Sequence, residues 1–211
     1  MKLALIGATG LIGRQLWPLL ERQHDLLVLG RRPSGAAREK LGSMDRWLAL
    51  LAGETLDVAL STLGSTRKAA GSWAAFEAVD RHAVLAFARA ARDRGARHFL
   101  LVSSSGADAG SRNAYLRLKG KVESAIAALG FERVDILRPG LLMGARSEKR
   151  TAEALGQVIA PVLRLVLRGP LDRYAPIDAG LLAKAMAELA ERNEPGVFRH
   201  HNREIRALTR Q

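Results

Sequence analysis

The chain has 211 residues, 48% of them hydrophobic and 26% charged. That is enough to bury the core of one α/β domain and too little for a second full-sized one. The absence of cysteine excludes disulfides, thiolate metal sites and thiol nucleophiles. The net charge of +12 suits an acidic substrate or an acidic protein partner, but the arginines are dispersed without interleaved aromatics, so no specific nucleic-acid function is expected.

Apolar runs of strand length alternate with amphipathic stretches of helix length. Strands are predicted at residues 2–6, 26–29, 58–62, 98–102, 133–137 and 197–200. Helices are predicted at 11–23, 73–94, 115–129, 152–167 and 179–191. This alternation marks βαβ units and predicts an α/β fold, a Rossmann-like doubly wound parallel sheet with helices on both faces. Residues 1–211 read as a single domain, with a cofactor-binding front over 1–138 and a small substrate-side part over 139–211. Between residues 38 and 52 only the weak Leu41-Gly42-Ser43-Met44 suggests a third strand, which is expected to be short or missing. The apolar run after Met1 is cut by Gly7 and Gly10, unlike a signal peptide. No run reaches the roughly 18 residues that span a bilayer. The expectation is a cytoplasmic protein without membrane contact, in which the apolar helix near residues 155–167 is a pocket lid or a core helix.

Residues 1–14 read strand, then Gly7-Ala8-Thr9-Gly10-Leu11-Ile12-Gly13, then helix. Gly7 permits a tight turn off the strand, Gly10 lets backbone approach a pyrophosphate, and Gly13 lets the helix pack on the sheet. The start of the helix adds an anion site, so Gly7, Thr9, Gly10, Leu11, Ile12 and Gly13 are candidate cofactor-binding residues. An acidic residue at the end of the second strand would favour NAD. The sequence there is Gly30-Arg31-Arg32, with Asp25 at the wrong end of the strand. Arg31 and Arg32 suit a 2′-phosphate because the guanidinium donates in pairs and stays charged, so the expected cofactor is NADP(H). Leu63 and Gly64, in the small-residue turn after the strand over 58–62, are candidates beside the adenosine.

Ser103-Ser104-Ser105 follow the strand over 98–102, and Tyr115 and Lys119 lie four residues apart at the start of a helix. Side chains at i and i+4 share a helix face. An ammonium there stabilises a phenolate, which suits the tyrosine to exchange a proton. Arg150, on the basic segment beyond Gly140, is placed to reach a cofactor phosphate. His24, His82, His98, His200 and His201 have no metal-ligand spacing and read as surface residues, so no metal is expected. Asp178 reads as a helix cap.

Together these phrases resemble the short-chain dehydrogenase/reductase superfamily over nearly the whole length. They are the glycine turn, Gly30-Arg31-Arg32, Leu63-Gly64, Val102-Ser103-Ser104, Tyr115 with Lys119, and Arg138-Pro139-Gly140. The likeness is to the atypical short members, similar to the Tat-interacting oxidoreductase-like NAD(P)H-binding proteins, which share Ser103-Ser104 before Gly106-Ala107-Asp108 and Tyr115 through Lys119-Gly120. The resemblance implies that Tyr115 is the catalytic acid/base and that Lys119 also binds the nicotinamide ribose. It implies that a serine, Ser104 with Ser105 close behind, polarises the substrate carbonyl. It further implies that the backbone from Arg138 to Leu142 meets the nicotinamide carboxamide. The function expected is an NADP(H)-dependent oxidoreductase acting on a small-molecule substrate, a carbonyl or alcohol. The alternative is an NADP(H)-binding regulatory or scaffold protein with little or no turnover. An epimerase is disfavoured, because only about seventy residues follow Gly140 and they leave no room for a sugar-nucleotide domain.

Overall fold

A computed structural model describes residues 1–143 and 169–209. Alternating side chains along the strands decide the layering. In β1 (Lys2–Ile6), Leu3 and Leu5 face one side, Ala4 and Ile6 face the other, and all four are fully buried. A strand covered on both faces reads as a continuous apolar run. The same holds for β2 (Asp25–Gly30), β4 (Val58–Ser61) and β5 (His98–Val102), whereas β6 (Arg133–Leu137) is buried throughout but carries Arg133 and Asp135 on one face. With the edge strands β3 (Glu39–Leu41) and β9 (Gly196–His200) they form a seven-stranded parallel sheet in the order β3-β2-β1-β4-β5-β6-β9. β7 (Leu142–Met143) and β8 (Ile177–Asp178) form a separate two-stranded ribbon.

Helices cover both faces. Against Leu3, Leu5, Val28 and Leu100 pack α1 (Gly13–Glu21), α7 (Ala179–Ala190) and α8 (Asn202–Leu208). The opposite face, with Ile6, Leu29, Phe99 and Leu101, is covered by α2 (Trp47–Leu50), α4 (Trp73–Glu77), α5 (Val84–Asp93) and α6 (Ala114–Ala127). The short α3 (Arg67–Ala70) precedes α4. Asp178 caps α7 as expected, accepting from the N–H groups of Gly180 and Leu181 at 2.9 and 3.1 Å.

Two expectations change. The third strand is present, two residues earlier than the weak Leu41-Gly42-Ser43-Met44 suggested, and pairs Val28–Gly30 of β2 with Glu39–Leu41. It lies at the edge and carries no apolar pattern. Ser34 N–H donates to Glu39 at 2.8 Å, and Lys40 donates to the Leu50 carbonyl at 2.8 Å. The helix predicted over 73–94 is interrupted by a π-helical turn, Ala78–Ala83, a distortion that collects at functional sites. The helix predicted over 152–167 lies outside the described residues.

The strand order reverses between β1 and β4, so the crevice at their carboxyl ends is the topological switch point where such sheets bind ligands. The glycine turn lies there.

Candidate functional site

Gly7 leaves β1 with φ +88°, a conformation that favours glycine. A Cβ on it would lie 2.5 Å from the Leu63 nitrogen and 2.6 Å from the Thr62 carbonyl carbon. Thr62 Oγ1 pins this contact by donating to the carbonyls of Ile6 and Gly7, at 3.2 and 3.1 Å. A Cβ on Gly13 would overlap the Gly7 carbonyl oxygen. Gly10 N–H donates to Gly7 O at 3.0 Å, closing the turn. Thr9 and Gly10 are exposed, Leu11 is half-buried, and the Ile12 side chain is in the core, so Ile12 can meet a ligand through its backbone alone. The first N–H groups of a helix have no intrahelical partner. The result is a cradle cleared of Cβ atoms at the open end of α1, which fits a pyrophosphate.

Arg31 and Arg32 are exposed just past the carboxyl end of β2, and no described residue engages either side chain. Asp25, at the other end of that strand, pairs with Arg38 at 2.8 Å. Leu63 packs on the core. Gly64 covers a buried ion pair: a Cβ there would stand 3.5 Å from Asp80 Oδ1 and 3.8 Å from Lys119 Nζ.

A cleft of about 490 Å³ opens beside the cradle, lined by Leu11, Thr66, Ser103 to Ser105, Tyr115, Pro139 to Leu142 and Tyr174. It gathers the predicted Leu11, Ser104, Tyr115 and Leu142. The three serines differ in what they touch. Ser103 Oγ donates to Glu123 Oε1 at 2.5 Å, and Arg138 holds the same buried carboxylate with Nη2 at 2.5 Å from Oε2. Ser103 therefore serves the fold. Ser104 is half-buried, its Oγ 3.4 Å from the Ser105 carbonyl, and the buried Ser105 Oγ has no partner among the described residues. Ser104, the more exposed of the two, is the one open to a ligand oxygen.

Asn113 caps α6 by accepting from Tyr115 N–H at 2.9 Å, which puts the tyrosine in the first helical turn. Tyr115 is 37% exposed, and its ring lies 5.8 Å from that of Phe76. Lys119, one turn on, is buried beneath Gly64 and does not line the cleft; its Nζ lies 2.7 Å from Asp80 Oδ1. Asp80 Oδ2 accepts from Ser65 N–H at 2.7 Å.

Asp80, on the π-helical turn, is absent from the sequence-based candidates. A signal exists in the sequence, because Phe76, Asp80, Val84 and Phe87 fall at helical spacing, which puts a carboxylate on an otherwise apolar stripe. Tyr174 and Asn202 are also absent from those candidates, and nothing local marks them. Asn202 is fully buried and ties Gly140 to the 172–175 turn. Arg150 lies outside the described residues.

His98 and His200 are not surface residues. Their Nε2 atoms lie 2.7 and 2.6 Å from Asp135, which Arg133 Nε also reaches at 2.6 Å. Burial pushes the Asp135 carboxyl up, but the hydrogen bonds from His200, His98 and Arg133 outweigh it and hold it well below the usual carboxylate range. The pattern of β5, β6 and β9 could not show that these side chains meet across three strands.

A seven-stranded parallel sheet with a glycine cradle at its switch point defines a Rossmann-type dinucleotide-binding protein. Residues 3–177 match the NAD dependent epimerase/dehydratase family, and the chain belongs to that family, whose cofactor is a nicotinamide dinucleotide. A curated relative, "Protein fmp52, mitochondrial" of Aspergillus fumigatus, is 42% identical over 196 residues, covering 86% of this chain and 83% of its own. Two solved structures show the same fold. MoeE5 in complex with UDP-glucuronic acid and NAD has a TM-score of 0.70 at 18% identity, covering 94% of this chain and 75% of that one. The human epimerase family protein SDR39U1 with NADPH has a TM-score of 0.62 at 21% identity, covering 95% and 74%. The expected cytoplasmic placement is overturned by the fungal relatives, which are named mitochondrial. Among the described residues no helix is long and apolar enough to cross a membrane.

Proposed function

We propose that the protein is an NADP(H)-dependent oxidoreductase of the short-chain dehydrogenase/reductase type, acting on a small carbonyl or alcohol. The observation that carries this reading is the cleft lined by Tyr115, Ser104, Ser105 and Pro139 to Leu142 beside the glycine cradle. When bound, the dinucleotide supplies the hydride for carbonyl reduction and takes it back in alcohol oxidation.

The turn from Gly7 to Gly13, with Thr9, Gly10, Leu11 and Ile12, holds the pyrophosphate by backbone N–H groups. Arg31 and Arg32 clamp the 2′-phosphate. Leu63 and Gly64 present backbone to the adenosine, and Leu142 borders the nicotinamide. Ser104 donates to the substrate oxygen and Tyr115 gives it the proton, so that the carbonyl leaves as an alcohol. Lys119 would meet the nicotinamide ribose from beneath Gly64 while it stays paired with Asp80. A single domain, with residues 1–138 for the cofactor and 139–211 for the substrate, leaves space for a small substrate.

Replacing Tyr115 with Phe tests the reading. In a carbonyl-compound screen followed by NADPH absorbance, the variant should lose turnover while binding NADPH nearly as tightly as the parent. Unchanged turnover removes Tyr115 from the chemistry.

A further inference from the structure

Lys119 and Asp80 form an ion pair at 2.7 Å whose side chains are 8% and 0% exposed. Such a pair is little screened by solvent or salt. Tyr115 sits on the same face of α6, one turn from Lys119. An unpaired ammonium there would stabilise the phenolate and prepare the tyrosine to take a proton from an alcohol. A carboxylate 2.7 Å from that ammonium opposes its field at the phenol.

We propose that Asp80 is a positioning residue that neutralises Lys119, holds Tyr115 as the neutral phenol, and so sets the site to donate a proton, the direction of carbonyl reduction. Asp80 is itself fixed from two sides. The π-helical turn aims it inward, and Ser65 N–H donates to its Oδ2 at 2.7 Å, leaving Oδ1 for Lys119. Other described charges near the pair are engaged elsewhere. Arg81 pairs with Glu77 at 2.6 Å, Arg117 donates to the Ser111 carbonyl at 2.7 Å, and Arg173 stands 5.0 Å from the centre of the Tyr174 ring. Tyr174, the second phenol of the cleft, is the one other tyrosine of the chain.

That count makes the proposal measurable without substrate or cofactor. In a Tyr174→Phe background Tyr115 is the sole tyrosine, and its ionisation is read from absorbance near 295 nm as pH rises. Asp80→Asn removes the charge and keeps one acceptor oxygen, enough for either Ser65 N–H or Lys119 but not both. It should lower the Tyr115 midpoint by about one pH unit, a tenfold change in the phenol–phenolate ratio. Lys119→Met leaves the carboxylate unpaired and should raise the midpoint. The double variant should return to the parent value.

A purely structural role for Asp80 predicts no such opposed shifts. A folded Asp80→Asn protein with an unchanged or raised midpoint overturns the proposal. Should that variant not fold, a Lys119→Met midpoint at or below the parent's, or a double variant that keeps the Lys119→Met value, overturns it equally. The inference rests on reading Tyr115 as the proton donor, and the two fail separately: a protein that never oxidises NADPH ends the oxidoreductase reading, whereas the titration alone judges Asp80.

Discussion

Asn202 Oδ1 accepts from Gly140 N–H at 3.1 Å, joining the start of α8 to the wall of the cleft. The same side chain donates through Nδ2 to the carbonyls of Asp172 and Ala175, at 2.9 and 2.7 Å. Gly140 lies so close to Tyr174 and Ala175 that a Cβ would overlap the Ala175 carbonyl oxygen. One buried amide therefore fixes both the backbone beside Leu141 and the turn that carries Tyr174.

Replacing Asn202 with Ala leaves three backbone groups without their partner, at a cost of about 1–3 kcal/mol for each one that water does not reach. For a chain of this size the thermal midpoint should fall by several degrees. NADPH affinity should fall with it, because the cleft wall loosens. A thermal denaturation series with and without NADPH checks both effects.

Gly13→Ala drives a methyl into the Gly7 carbonyl. The helix must move away from the turn, which costs about 1–3 kcal/mol of overpacking strain and displaces the N–H groups from the cradle. The expected result is a folded protein, by far-ultraviolet circular dichroism, whose NADPH affinity has dropped at least about tenfold, a change worth about 1.4 kcal/mol. Fluorescence titration of NADPH measures it.

Asp135 couples stability to acid. Its carboxyl is held below the ordinary range in the folded chain, so its contribution is fully present above the unfolded value near about 4 and is lost as pH falls below it toward the folded value. Asp135→Asn should therefore be less stable than the parent at pH 6–7, and the gap should narrow below about pH 4. Urea unfolding at a series of pH values reads this directly, and a gap that widens on acidification contradicts it.

The buried parts of the fold were legible from residues alone, because β1, Leu26 to Leu29 of β2 and Phe99 to Val102 of β5 are apolar on both faces, whereas in β6 the buried Arg133 and Asp135 interrupt the run. β3 was not, since an edge strand with Glu39 and Lys40 at its centre has no periodicity to read. The glycine turn was legible because each glycine answers a local steric demand. Asp80 and Asn202 act through groups 39 and 62 residues away in sequence, at Lys119 and Gly140, and no local pattern encodes such pairings. The serine assignment was half legible: the strand end marks the cluster, whereas the withdrawal of Ser103 depends on Glu123 from α6.

Calorimetric titration with NADPH and NADH, on the parent and on the Arg31→Ala/Arg32→Ala variant, tests most directly whether the cradle and the arginine pair bind NADP(H). Charge-assisted hydrogen bonds to a 2′-phosphate are worth about 1.5–3 kcal/mol, so NADPH should bind the parent at least about tenfold tighter than NADH, and the preference should vanish in the variant with NADH affinity unchanged. Equal affinity for the two dinucleotides in the parent, or binding of neither, would contradict the account.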